Sequence, residues 1–211
     1  MKLYGYWRSS ATYRVRIALQ LKGLPHETVP ISLIDGDQRS ADYLRLNPLG
    51  LVPLLIDGGI TIGQSMAILE YLEERYPPPP LLPMSTTARA RVRELANIIA
   101  CDIHPLCNLR VLDTLRDDLN ADAVAKKNWY TRWVAGGLAA IETRLTQWNA
   151  GEYCVGEAPT LADICLIPQL YNARRFSIPL EAYPHILHVD ARCTGIEAFR
   201  RAAPERQPDS Y

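Results

Sequence analysis

Four consecutive prolines, Pro77-Pro78-Pro79-Pro80, followed by Leu81-Leu82-Pro83, constrain this chain more than any other feature. Proline has a fixed φ and no amide hydrogen, so the run neither continues a helix nor pairs inside a sheet. The periodicity differs on its two sides. Before it, short strand-like runs alternate with helical ones: Lys2 to Tyr6, then Ala11 to Leu21 with Val15, Ala18 and Leu19 on one face, then His26 to Pro30, a βαβ unit. Pro53 to Ile56, the turn Asp57-Gly58-Gly59 and Ile60 to Ile62 read as a hairpin. A helix beginning near Ser65 sets Ile68, Leu69, Leu72 and Tyr76 on one face and Glu70, Glu73 and Glu74 off it. After the prolines come long helical periods: Thr87 to Ile103, Leu106 into Asp117, Asp122 to Trp148, and Thr160 to Ala173, the last opened by a capping box of Thr160 and Asp163. The expectation is an α/β domain over 1–80, ordered βαβ, helix, ββα, and an all-α domain over 86–211.

The 211 residues, 48% hydrophobic and 22% charged, belong to the globular class and exclude disorder as the main state. Lysine plus arginine equals aspartate plus glutamate at 23 each, so no long-range field draws the chain to nucleic acid or to an anionic membrane. Of the 23 cations 19 are arginine, which leaves many groups able to hold a carboxylate with two hydrogen bonds. The five cysteines are odd in number, form no C-x-x-C and have no histidine at zinc-finger spacing. They suit reduced thiols in the cytoplasm and argue against a metal site. Arg8, Arg14 and Arg16 precede any apolar run, so no signal peptide is expected, and no uncharged apolar run approaches the roughly 20 residues that span a bilayer. The expected location is cytoplasmic, with no membrane or nucleic-acid partner.

Two short segments could carry chemistry. Trp7 to Leu19 places Arg8, Ser9 and Ser10 where the first strand meets a helix, and a thiol held there would meet a helix N-terminus that favours the thiolate. The plainer reading makes Ser9 or Ser10 an N-cap. No cysteine lies at this turn, so a thiol would have to be borrowed. Val52-Pro53 ahead of a strand and Gln64-Ser65 at a helix start also have two readings. One is a turn and an N-cap; the other is a cis proline that frees the Val52 backbone for an extended peptide-like ligand whose carboxylate meets the helix start.

R-S-S-x-x-x-R-V-R-I-A-L at Arg8 to Leu19, L-N-P-x-x-x-V-P at Leu46 to Pro53 and I-x-Q-S-x-A-I at Ile62 to Ile68 resemble the zeta class of glutathione transferases. The likeness continues through Cys101 to Leu106, Tyr153 to Gly156, Thr160 to Asp163, Ala173 to Phe176 and the closing Arg206-Gln207-Pro208-Asp209. It implies a thioredoxin-like glutathione-binding domain followed by an all-helical substrate-binding domain, usually as a homodimer. It also implies maleylacetoacetate isomerase activity in aromatic catabolism, with glutathione as a regenerated cofactor whose thiol opens the maleyl double bond to rotation. Maleylpyruvate isomerisation in the gentisate pathway and a non-catalytic glutathione-binding protein are the alternatives, and a transferase side activity is compatible with the first. Members often carry cysteine where this chain has Ala11, which puts in doubt any activity needing that cysteine. By the resemblance, Ser9 supports the thiolate, with Ser10 beside it, while Val52, Pro53, Gln64 and Ser65 contact glutathione. Arg8 and Arg175 hold the carboxylates of a small maleyl diacid. His104, Asn108 and Arg110 join the cofactor-binding set. Read on their own, His104 is equally a packed helix-end histidine, Asn108 falls on its helical face, and Arg110 is a surface charge.

Overall fold

The first strand, β1 (Lys2–Gly5), lies inside a four-stranded sheet. The computed structural model describes residues 1–210. A crossover helix, α1 (Ser10–Leu21), brings β2 (Glu27–Pro30) alongside β1 in parallel, and a short helix, α2 (Ala41–Leu46), leads into β3 (Leu54–Asp57). Strand β3 runs antiparallel to β1 on one side and to β4 (Ile60–Gly63) on the other, giving the order β2-β1-β3-β4. The hairpin is as expected: Asp57 faces Ile60 across Gly58-Gly59, with Gly58 at φ 59°, a left-handed conformation that glycine adopts without a steric penalty. Leu3 and Leu55, opposite one another in the register, are fully buried, as are Ile68, Leu69 and Leu72 of the next helix, α3 (Ser65–Arg75).

One residue of α3 departs from the amphipathic reading. Glu73, placed by periodicity off the apolar face, is buried, because Lys22 at the end of α1 reaches it with Nζ 2.9 Å from Oε2. The same ammonium donates to the carbonyls of Tyr76 and Pro79 at 2.8 and 2.9 Å, and Glu73 Oε2 accepts from the Leu81 amide at 2.9 Å. An ion pair thus fastens the proline run to the end of α1 and to α3.

By its internal contacts the chain divides into two units, one of residues 82–193 and one of residues 1–81 joined by the segment from Thr194 onward. The first of these contains α4 (Thr86–Asn97), a π-helical segment Ile98–Ile103, α5 (His104–Leu106), α6 (Leu109–Asp117), α7 (Ala123–Trp148), α8 (Leu161–Arg175) and most of α9 (Pro184–Thr194). Val134, Leu138, Ile141 and Leu145 form the buried stripe of α7, and Ile164, Cys165 and Leu166 of α8 are equally buried. The capping box at Thr160 is present: the Thr160 amide donates to Asp163 Oδ2 at 2.7 Å, and Cys154 N donates to Oδ1 at 2.8 Å. Burial raises the Asp163 carboxyl above its usual range, while the amides of Cys154 and Thr160 pull it down.

One observation in this unit differs from the sequence reading. The helix stops between His104 and Asn108, since Cys107 ends α5 and Asn108 is extended at φ −69°, ψ 149° as the N-cap of α6. The two side chains therefore do not share a helical face. In addition, the stretch Thr86–Asp117 contains an 18-residue window of mean hydropathy 1.2, of which 22% is buried within the chain. By length and composition alone this stretch passes for a membrane span. Every 18-residue window of that stretch includes Asp102, so it is not the uncharged run that the sequence reading ruled out.

The last helix, α10 (Glu197–Ala202), packs on α1. Arg14 and Arg16 of α1 are only 1% and 3% exposed, Arg14 against Ser65 of α3 and Arg16 against α10. Arg16 Nε donates to the Ala202 carbonyl at 2.9 Å, and Tyr13 Oη to that of Phe199 at 3.5 Å. The residues from Thr194 on therefore group with residues 1–81, whereas the sequence reading kept 86–211 together.

Candidate active site

The turn after β1 sets the first site residues. A Cβ on Gly5 would overlap Thr12 Cγ2, so glycine lets the start of α1 come this close to the strand. The Ser9 amide donates to the Tyr6 carbonyl at 3.0 Å, closing the turn Tyr6–Ser9. Ser9 is the N-cap of α1: it is extended, and its Oγ accepts from the Thr12 amide at 3.2 Å. The N-cap reading and the catalytic reading are compatible, because a hydroxyl that accepts one hydrogen bond still has its own hydrogen to donate. That hydrogen sits at a helix N-terminus, where the dipole and the first-turn amides favour an anion such as a thiolate. Ser10 is the first helical residue and is buried. Arg8 is half-buried with its guanidinium 5.0 Å from the centre of the Trp7 ring, and among the described residues it forms no ion pair.

A second group lies at the β3 and α3 starts of the same unit. The Val52-Pro53 peptide is cis. Among the described residues, no hydrogen bond engages the amide or carbonyl of Val52, which precedes β3. Its neighbour is fixed, as Tyr43 Oη and Asn47 Nδ2 each donate to the Leu51 carbonyl at 2.7 Å. Gln64 has φ 67° and ψ 115°, a left-handed backbone in a residue with a Cβ, which costs on the order of 1–3 kcal/mol and tends to mark functional positions. Ser65, the first residue of α3, is buried and accepts at Oγ from Arg14 Nη1 at 3.1 Å. A serine hydroxyl held as an acceptor by a buried guanidinium presents its own hydrogen outward, and with the helix N-terminus it suits a carboxylate.

In the other unit, Arg175 ends α8 with its guanidinium 4.8 Å from the centre of the Phe176 ring. Phe176 stacks on Tyr130 of α7 at 3.9 Å and 22°. Cys107 Sγ lies 3.9 Å from the Tyr130 carbonyl, and Trp129 Nε1 donates to the Leu106 carbonyl at 2.8 Å. Helix α7 thereby links the Arg175 end of α8 to the segment His104–Asn108. His104 is half-buried, Asn108 Oδ1 accepts from the Arg110 amide at 3.2 Å, and Arg110 is exposed. Burial pushes the Cys107 thiol up to about 12 and raises Cys154 and Cys193 as well, so none of these three is a nucleophile near neutrality.

Residues 1–74 match the family model described as the glutathione S-transferase N-terminal domain, and residues 127–201 match its C-terminal domain. A probable maleylacetoacetate isomerase of Vibrio cholerae is 48% identical over 210 residues, 99% of this chain and 97% of that one. A solved maleylpyruvate isomerase, described as a bacterial glutathione S-transferase of the zeta class, superposes with a TM-score of 0.98 at 47% identity and full coverage of both chains. This chain belongs to the zeta class of glutathione transferases. A maleylacetoacetate isomerase from Methylobacterium extorquens AM1, solved with bound malonate and glutathione, has a TM-score of 0.97 at 41% identity, again over the whole of both chains.

Within this glutathione transferase, the donor set fits a glutathione molecule. Val52 backbone groups with no hydrogen-bond partner among the described residues, a carboxylate-seeking pair at Ser65 and Arg14, and the Ser9 hydroxyl at the N-terminus of α1 all belong to one unit. The sequence reading had no role for Arg14; its polar type inside a buried helix was the available signal. A cavity of about 260 Å³ in the other unit, with Glu152, Glu157, His185 and His188 in its lining, holds none of the expected site residues.

Proposed function

We propose that this protein is a glutathione-dependent cis-trans isomerase of maleyl diacids, converting maleylacetoacetate to fumarylacetoacetate in aromatic catabolism. The observation that carries this reading is the Ser9 hydroxyl at the N-terminus of α1, in a unit that contains no cysteine. Bound glutathione supplies the missing thiol, which adds reversibly to the maleyl double bond and so permits rotation. The chain's own groups hold and polarise. Ser9 donates to the sulfur, the Val52 backbone and Ser65 orient the tripeptide with Gln64, and Arg8 and Arg175 grip the diacid's carboxylates. Ser10, Pro53, His104, Asn108 and Arg110 complete the proposed set. An arginine fork fixes orientation as well as charge and is in place before the reaction begins. Maleylpyruvate is the second reading, supported by relatives of both names at nearly equal identity.

The test follows the absorbance of each maleyl substrate with and without glutathione. Protein stripped of glutathione is expected to be silent and to recover on its addition; full activity in its absence would exclude the borrowed thiol. In the same assay Arg8→Ala and Arg175→Lys are expected to lower kcat/KM about 10- to 100-fold with little change in glutathione affinity, the loss of a carboxylate fork. Unchanged kcat/KM in both removes the arginine roles.

The proposed working form is a cytoplasmic homodimer. The homodimer rests on the family resemblance, and five free cysteines suit a reducing compartment. Sedimentation in detergent-free buffer is expected to give twice the 23.7 kDa chain mass. A monomer, or a chain soluble only in detergent, would contradict it.

A further inference from the structure

The closing segment Arg206-Gln207-Pro208-Asp209 has no part in the functional reading so far, yet the structure brings it to the thiolate turn. Asp209 Oδ2 accepts from the Trp7 amide at 3.2 Å, across 202 residues of sequence. The other polar group of the same residue, the Trp7 carbonyl, accepts from Arg16 Nη2 at 2.8 Å, and Arg16 Nε holds the Ala202 carbonyl of α10 at 2.9 Å. Trp7 and Arg8 are the two central residues of the turn that Tyr6 and Ser9 close. Both backbone groups of Trp7 are thus anchored by, or together with, the C-terminal segment, one residue before Arg8 and two before Ser9.

The segment is itself braced. Gln207 Nε2 donates to the carbonyls of Ala203 and Arg201 at 2.8 and 3.0 Å, and Ser210 Oγ donates to the Gln207 carbonyl at 2.8 Å. These bonds fold the chain back on the end of α10 and present Asp209 to the turn. Asp209 Oδ1 is buried without a partner among the described residues, which makes a carboxylate an expensive choice for satisfying one amide.

We infer that Asp209 is a positioning residue of the active site: by holding the Trp7 amide it fixes the direction in which Ser9 Oγ and Arg8 leave the turn. The inference rests on the proposed glutathione chemistry only for its consequence, since the contact itself lies within the protein. Positioning and electrostatics have opposite signs here. A carboxylate near the sulfur would by charge alone oppose the thiolate, so removing it would lower the thiol pKa, whereas loosening the Ser9 hydroxyl would raise it.

The experiment compares the wild-type chain with Asp209→Ala and Asp209→Asn in three measurements: hydrogen exchange at the Trp7 amide without ligand, thermal unfolding, and the pH titration of bound glutathione by thiolate absorbance. Asp209→Ala is expected to lose Trp7 amide protection and to raise the pKa of the bound thiol, cutting the thiolate fraction near neutrality by about tenfold, the scale of one charge-assisted hydrogen bond. Asp209→Asn keeps an acceptor and is expected to restore most of both. A titration unchanged or shifted downward in Asp209→Ala overturns the inference, as does a lower melting temperature with no change in the titration. If the wild-type protein binds no glutathione thiolate, the proposed function fails instead, and amide exchange at Trp7 still decides whether Asp209 holds the turn.

Discussion

Glu73→Ala is expected to cost about 3–5 kcal/mol of folding stability, the range for breaking a buried ion pair by removing one partner. The Lys22 side chain is 0% exposed and that of Glu73 9%, so neither charge has water to fall back on. Removing the carboxylate leaves the ammonium with only the carbonyls of Tyr76 and the proline run, and leaves the Leu81 amide without its acceptor. Against a typical total of about 5–15 kcal/mol this is a large share. The paired replacement Lys22→Met with Glu73→Leu tests the reason. Buried pairs exchanged for apolar residues are often neutral, but here the orphaned carbonyls and the Leu81 amide remain, so recovery should be partial. Denaturant unfolding of the single and double variants reads both values. A loss under about 1 kcal/mol for Glu73→Ala, or full recovery in the pair, would show that the proline run is held by its packing alone.

The same pair shows where sequence legibility ended. Period-3.6 spacing identified Ile68, Leu69 and Leu72 because apolar burial repeats locally along a helix. It put Glu73 off the buried face because the partner that makes burial tolerable is Lys22, 51 residues away. Arg14 and Arg16 escaped for a similar reason: Arg14 is held by Ser65, 51 residues away, and Arg16 by Ala202 of the C-terminal helix, and nothing in the α1 sequence announces either. Turn chemistry and caps, which depend on neighbours within four residues, were legible at Gly58-Gly59 and Thr160–Asp163. A break between Ile103 and Leu106 was read, but not its place at Cys107, so Asn108 was still set on the helical face of His104. For the site, residue identities came from motif resemblance, whereas the contacts of Ser9 Oγ with the Thr12 amide and of Ser65 Oγ with Arg14 came only from the fold.

Ser9→Ala is expected to reduce turnover at neutral pH about 100-fold, the scale of losing one preorganised donor to a developing or stabilised anion. The sign of its pH dependence follows from the hydrogen bond. A hydroxyl that donates to sulfur favours the charged form and lowers the thiol pKa, so its removal raises that pKa toward the free value. The deficit should therefore be greatest near neutrality and shrink as pH rises and the thiolate forms unaided. Ser9 is also the N-cap of α1, and alanine there costs about 1 kcal/mol of stability in addition. Ser9→Gly separates the two roles. Glycine at an N-cap loses only a few tenths of a kcal/mol, so the helix start survives while the donor is gone, and Ser9→Gly should match Ser9→Ala in turnover but not in unfolding. Ser10→Ala is the positional control: Ser10 is already inside the helix, so its loss should leave the pH profile of turnover near that of the wild type. If Ser10→Ala instead gives the alkaline-rescued defect and Ser9→Gly does not, the donor is one residue further along, and the hydroxyl capping α1 is only a cap.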